Sequence, residues 1–164
     1  MVLDLKNVFL NDGEVLPFSC DIDLSSTDIN GVYPFISPVR AEGSVRNQAG
    51  AALMEAKVSF DFCIPCDRCA EEIKKRYEYT FRHLLTPELN DGENDSYLEI
   101  EGCQLDVDEL LRADILLELP TKYLCKPDCR GLCPKCGKNL NSGSCGCNLH
   151  QIDPRLEVLK QLID

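Results

Sequence analysis

The stretch VSFDFCIPCDRCAEEIKKRYEYTF, residues 58–81, decides the reading of the fold. Val58, Phe60, Phe62 and Ile64 fall on alternate positions, which is the period of a strand with one buried face. After Cys66 and Cys69 the alternation resumes through Ile73, Lys75, Tyr77, Tyr79 and Phe81, within a run from Ile73 to Leu85. The cysteine pair therefore sits on a turn between two strands, and an antiparallel meander follows from so short a connection.

Working outward, Val15, Phe18, Cys20, Ile22 and Leu24 mark an earlier strand, and the segments Arg40 to Arg46 and Ala51 to Phe62 are joined by Asn47-Gln48-Ala49-Gly50, a hairpin connection. Downstream, Glu88 to Glu101 reads as an acidic loop leading into a short strand, Tyr97 to Ile100. Asp106 with Glu109 three residues on has capping-box spacing, and Val107, Leu110, Leu111, Ile115 and Leu119 then recur at helical spacing up to Pro120. Asp153-Pro154 opens a terminal helix carrying Leu156, Leu159 and Ile163 on one side. The expected architecture is α+β: an antiparallel β-body, open or partly closed into a barrel, with one packed helix, then a C-terminal zinc knuckle and a short helix. The expected division is a body over 1–120, with its helix at 106–119, and a zinc module over 121–164.

The chain has 164 residues and 11 cysteines. A chain this long buries a core without covalent help, so a disulfide framework is the weaker explanation for that count, and an odd total leaves a thiol over under any intramolecular pairing. MVLDLKNVFL at the start lacks the basic flank and apolar run of a signal peptide, and no run of about 18 apolar residues occurs. A cytoplasmic location, with no membrane partner, is the expectation, and thiols there persist as metal ligands.

Cys133-Pro-Lys-Cys136-Gly, followed by Cys145-Gly-Cys147, is the strongest chemical signal. Zinc takes four soft ligands at tetrahedral corners about 2.3 Å away, and a C-x2-C turn presents two of them. Gly143, Gly146 and Asn141 supply the tight turns between the pairs. Cys66, Cys69, Cys125 and Cys129 would make a second four-cysteine site; alternatively Cys125 or Cys129 replaces a member of the first. His150, three residues past Cys147, is a further ligand candidate, and His83 is assigned no role. Cys20, Cys63 and Cys103 are read as small buried hydrophobes.

The net charge of −11 disfavours attraction of the whole molecule to naked nucleic acid or an anionic membrane. From Thr121 to Asn139, however, Lys122, Lys126, Arg130, Lys135 and Lys138 face only Asp128, a local charge of +4. Those cations either offset thiolate charge on zinc or touch nucleic acid. No phosphate loop, G-x-S-x-G elbow or H-E-x-x-H is present, and an all-cysteine zinc shell lacks the open position that catalysis needs, so a binding or assembly protein is favoured over an enzyme. The terminal helix lacks the basic face of a DNA reader, so no DNA partner is expected.

Cys66-Asp-Arg-Cys69 after an alternating strand, the helix leading to Leu119-Pro120, and Cys125-Lys-Pro-Asp-Cys129-Arg-Gly-Leu-Cys133-Pro-Lys-Cys136-Gly-Lys-Asn-Leu-Asn together resemble the YceD family, the large ribosomal RNA subunit accumulation proteins. The resemblance covers nearly the whole chain; some members look to have the C-x-R-C turn without the cysteine-rich tail. It implies a non-enzymatic role in accumulation of 23S ribosomal RNA and assembly of the large ribosomal subunit. Partners would be ribosomal precursor components, met through a basic ribosomal protein or processing factor, with limited contacts to 23S RNA from Arg68, Lys126, Arg130 and Lys135. The rival reading is a thiol redox or zinc-responsive regulator using Cys66 and Cys69.

Overall fold

A computed structural model describes residues 1–48, 51–87 and 97–147. Five strands form a half-barrel in the order β2-β3-β4-β5-β6: β2 (Val15–Ile22), β3 (Val39–Gln48), β4 (Ala51–Pro65), β5 (Glu72–Thr86) and β6 (Tyr97–Glu99). A separate two-stranded sheet pairs β1 (Val2–Asp4) with β7 (Gln104–Asp106), with Leu3 opposite Leu105. The helices are α1 (Lys6–Leu10) and α2 (Val107–Glu118).

The strands follow from side-chain alternation. Along β4 the buried positions are Ala52, Met54, Ala56, Val58, Phe60, Phe62 and Ile64, all on one face of the pleat. β3 pairs antiparallel with β4, Ala41 opposite Val58 and Val45 opposite Met54, and so brings its own small apolar residues to that face. An aromatic cluster closes the core: Phe35 stands edge-on to Phe62 at 5.2 Å, and Tyr77 of β5 stacks on Phe60 at 5.7 Å. Phe35 reaches this place because its backbone bridges to Phe62.

α2 begins where the sequence places it. The Asp106 side chain accepts hydrogen bonds from the backbone N–H groups of Asp108 and Glu109, and Val107, Leu111 and Ile115 are the buried stripe. His83, given no role from sequence, hydrogen-bonds Asp114 of α2, Nε2 to Oδ2, at 2.7 Å. Two expectations change. The sheet is not antiparallel throughout, because β6 runs parallel to β5, Leu84 beside Tyr97. Cys20, Cys63 and Cys103 are half-buried rather than fully enclosed. The Ala49-Gly50 part of the hairpin connection, the acidic residues 88–96, His150 and the terminal helix lie outside the described residues.

The chain divides into two compact units. One comprises Met1–Ile64 and Ile73–Lys122; the other comprises Pro65–Glu72 and the chain from Tyr123 onward. The 66–71 turn, which a simple body-plus-tail division at residue 120 leaves with the body, thus groups with the cysteine-rich segment. The reason is its backbone: Asp67 N–H donates to Tyr123 O at 2.8 Å and Leu132 N–H to Arg68 O at 3.0 Å.

Gly43 is the tightest place in the sheet. It pairs with Ala56 under the ring of Phe18, and a Cβ there would collide with the Glu55 carbonyl oxygen and come within 2.7 Å of Phe18 Cζ. Gly43→Ala is expected to destabilise the first unit by about 2 kcal/mol or more through overpacking. Urea unfolding followed by tyrosine fluorescence measures this; an unchanged midpoint would mean that the strands separate freely at that point.

Candidate metal centres

The structure gathers eight of the cysteines into two groups of four, both within the second unit. Cys66, Cys69, Cys125 and Cys129 form one, and Cys133, Cys136, Cys145 and Cys147 the other; within each group all sulfur atoms lie within 4.8 Å of one another. In the first group Cys66 Sγ is 3.8 Å from Cys129 Sγ, and Cys69 Sγ is 3.5 Å from Cys125 Sγ. Four sulfurs held about 2.3 Å from one ion at tetrahedral corners are roughly 3.8 Å apart, so the donor set and its spacing fit a tetrahedral thiolate centre. Cys66, Cys69 and Cys129 are buried, whereas Cys136 is exposed and Cys145 and Cys147 are half-buried.

The two C-x2-C turns have the same backbone. Cys66 N–H donates to Glu71 O at 2.8 Å and Ala70 N–H returns to Cys66 O at 2.9 Å; Cys133 N–H donates to Lys138 O at 2.8 Å and Gly137 N–H returns to Cys133 O at 2.8 Å. The residue after the second cysteine must take a left-handed conformation for the turn to close. Gly137 does so at φ 70° without cost, and Ala70 does so at φ 58° against its Cβ. The glycine was a readable signal for the second turn. At the first turn alanine concealed the equivalence.

This backbone aims amide dipoles at sulfur. Burial pushes the Cys66 thiol up, but the N–H groups of Cys125, Arg68 and Cys69 outweigh it and bring it down to about 6. At Cys133 the N–H groups of Cys136 and Lys135 prevail over burial with the same result, about 6. Their partners go the other way. The Glu71 N–H favours the Cys69 thiolate, yet burial and the sulfurs of Cys125, Cys66 and Cys129 push Cys69 up to about 12. The sulfurs of Cys136 and Cys145, then burial, push Cys147 up to about 12. In the first group the Asn141 side chain also lowers Cys129, while burial raises Cys125, so each group mixes thiols favoured as thiolates with thiols held protonated.

The segments flanking the sulfurs are held by further hydrogen bonds. Tyr123 N–H donates to Asp67 Oδ2 at 2.7 Å, Cys125 N–H donates to Cys66 Sγ at 3.3 Å, and the Arg68 guanidinium donates to Cys129 O at 2.8 Å. Arg68, which makes this bond to the tail segment, is exposed, as are Lys126, Arg130 and Lys135. Gly131, at φ 74°, lets the backbone approach Arg68, whose carbonyl oxygen would stand 2.9 Å from a Cβ there. In the second group Asn139 Oδ1 accepts from Asn141 N–H at 2.9 Å to cap the short 3-10 turn Leu140–Ser142, and Lys138 Nζ donates to Ser144 O at 3.0 Å. Gly143 and Gly146 have the positive φ expected of tight turns. Asn141, read as a turn former, also donates from Nδ2 to Cys129 Sγ at 3.3 Å.

Comparison with known proteins agrees with these features. The model of the family described as large ribosomal RNA subunit accumulation protein YceD matches residues 54–163. The chain is 30% identical over 145 residues to an uncharacterized protein, YlbN, of Bacillus subtilis, covering 84% of this chain and 81% of that protein. It is 33% identical over 104 residues to an uncharacterized protein of Mycobacterium tuberculosis, covering 60% of this chain and 49% of the relative. It is 24% identical over 151 residues to the chloroplastic large ribosomal RNA subunit accumulation protein YCED homolog 1 of Arabidopsis thaliana, covering 74% of this chain and 47% of that protein. The chain thus spans about half the length of the last two relatives. No solved structure matches it. No helix among the described residues is long and apolar enough to cross a membrane. The match to more than half of the chain, including the cysteine turn between β4 and β5 and both groups of four thiols, makes this protein a member of the YceD family.

Proposed function

We propose that this protein is a non-enzymatic factor that supports accumulation of 23S ribosomal RNA and assembly of the large ribosomal subunit, and that it carries two structural zinc ions. The observation that supports the reading is the pair of four-sulfur groups, each able to hold a metal ion, in a chain of a family whose name ties it to large-subunit RNA. Zinc is favoured because it takes a tetrahedral thiolate shell and needs no redox partner, and N–H donors to coordinated sulfur suit it. Cys66, Cys69, Cys125 and Cys129 would hold one ion and Cys133, Cys136, Cys145 and Cys147 the other. The ion supplies charge neutralisation and cross-linking; with four protein ligands it leaves no position for substrate.

Lys126, Arg130 and Lys135, exposed on the same unit, are assigned to limited phosphate contacts on the ribosomal precursor, working in the cytoplasm beside a basic ribosomal protein or processing factor that meets the acidic remainder of the chain. The thiol redox reading of Cys66 and Cys69 is disfavoured. Each of these sulfurs has a neighbour on the 125–129 segment, so a reactive pair would carry two further thiols in contact with it.

Elemental analysis of reduced protein is expected to give two zinc ions per chain with eight thiols protected from alkylation until chelator is added. One ion with a reactive Cys66 and Cys69 pair would end the two-site assignment. Iron in place of zinc would replace a structural ion by a redox centre. Cys133→Ser is expected to lose the second ion and the protease resistance of residues 123–147, while the first unit keeps its unfolding midpoint.

Charge reversal at Lys126, Arg130 and Lys135 is expected to weaken association with ribosomal precursors. It should also lower the slope of log K against log salt by about two, since each phosphate contact contributes roughly 0.7 to 0.9. Unchanged association by a folded variant would remove RNA contact through these residues.

A further inference from the structure

The two groups of four are not independent in space. Cys129 of the first and Cys133 of the second are separated only by Arg130, Gly131 and Leu132, and this short segment is gripped by the loop that lies between Cys136 and Cys145. Leu140 N–H donates to Gly131 O at 2.9 Å, and Leu132 bridges to Asn139. Asn139 Nδ2 also reaches Glu71 Oε1 at 3.2 Å, on the turn that carries Cys66 and Cys69.

Asn141 is the link between loop and sulfur. Its Oδ1 accepts the Arg130 backbone N–H at 2.9 Å, which fixes the orientation of the amide and turns Nδ2 toward Cys129, whose Sγ lies 3.3 Å away. The donor comes from the loop of one group and the acceptor is a ligand of the other. Asn141 is in place only when its loop is folded, and that loop is pinned at both ends by Cys136 and Cys145.

Resting on the two-zinc reading above, we propose that Asn141 is a positioning residue that couples the two centres, so that filling the Cys133, Cys136, Cys145 and Cys147 group raises the affinity of the Cys66, Cys69, Cys125 and Cys129 group. Coupling of this kind is reciprocal: an ion in the first group equally favours the second. The module then loads and empties its metal as one unit.

Asn141→Asp separates the two duties of the side chain. It keeps an oxygen for the Arg130 N–H and for the loop, but it removes the N–H donated to Cys129 sulfur. The full-length chain is stripped of metal and titrated with Co2+ through its thiolate charge-transfer absorption, and mass-mapped alkylation assigns each ion to its cysteines. In the unaltered protein two ions are expected, taken up cooperatively. In Asn141→Asp two ions are still expected but without cooperativity: with the other group filled, each group binds about 10- to 100-fold more weakly than in the unaltered protein, the magnitude typical for a lost ligand-orienting hydrogen bond, while the second group measured with the first empty is unchanged.

The first group's charge-transfer band should also move to longer wavelength, because a sulfur relieved of its N–H donor gives up electron density more readily. A role confined to holding the loop would leave that band in place. Cys145→Ser, which breaks the second group, should weaken the first by the same factor, and the double variant should show no additional loss. Unchanged first-group affinity and spectrum in Asn141→Asp, or additive losses in the double variant, would overturn the coupling while leaving two metal sites standing. Absence of Co2+ binding by the unaltered protein would instead remove the metal reading itself.

Discussion

Sulfur stands where a core would otherwise be. In the second unit, among the described residues, the buried apolar side chains are Tyr123 and the cysteines 66, 69, 129 and 133. Among these residues hydrocarbon contributes little to repaying the entropy of fixing the backbone. Nor can its thiols remain a passive filling. Cys66 and Cys133 are drawn toward the thiolate by backbone N–H groups, while Cys69 and Cys147 are pushed up by burial and by the sulfurs around them. A cation that joins four thiolates resolves that conflict and ties four points of chain together at once.

The first unit is held by different means. Its interior is continuous hydrocarbon, Phe60, Phe62, Met54, Leu85, Leu111 and Ile115 among the most deeply buried residues, and its strand register is fixed by pleat alternation rather than by any ligand. In sequence, β4 ends at Pro65 and β5 begins at Glu72, so Cys66 and Cys69 fall in the turn that joins them. A slip of one residue in β4 would move Phe60 and Phe62 to the solvent face.

The parts of this arrangement that were legible in sequence are those set by local pattern. Alternation from Val58 to Ile64 and from Ile73 to Phe81 marks β4 and β5, Asp106 with Glu109 marks the start of α2, and C-x2-C marks each turn. The grouping of Cys66 and Cys69 with Cys125 and Cys129 is readable as the two pairs left over from the C-terminal tetrad, but sequence alone does not separate it from a tetrad that borrows Cys125 or Cys129. Cys66 finds Cys129 across 63 residues, and no periodicity carries information over that separation. The parallel placement of β6 escaped for a related reason, since three residues of strand carry no signal of the direction in which they pair. Ala70 hid the likeness of the two turns because alanine seldom takes a left-handed conformation, and Asn141 looked like a turn former because its second duty depends on a sulfur contributed from twelve residues away.

The same geometry changes what a low thiol pKa means here. In a redox pair, an attacking thiolate needs access and one specific partner sulfur that can come within bonding distance, about 2.05 Å. Cys66 is buried, and its N–H donors point at its sulfur from Arg68 and Cys69 on its own turn and from Cys125 on the facing segment. Those donors hold the thiolate still and shield it. Its sulfur neighbour across the chain, Cys129, is 3.8 Å away, and Cys69 faces Cys125 at 3.5 Å, spacings suited to the edges of a tetrahedron. Cys133, with the same backbone around it and an equally depressed pKa, repeats the arrangement at the second group. A feature that occurs twice, each time inside a group of four, is better explained by what four sulfurs can bind together than by the reactivity of any two.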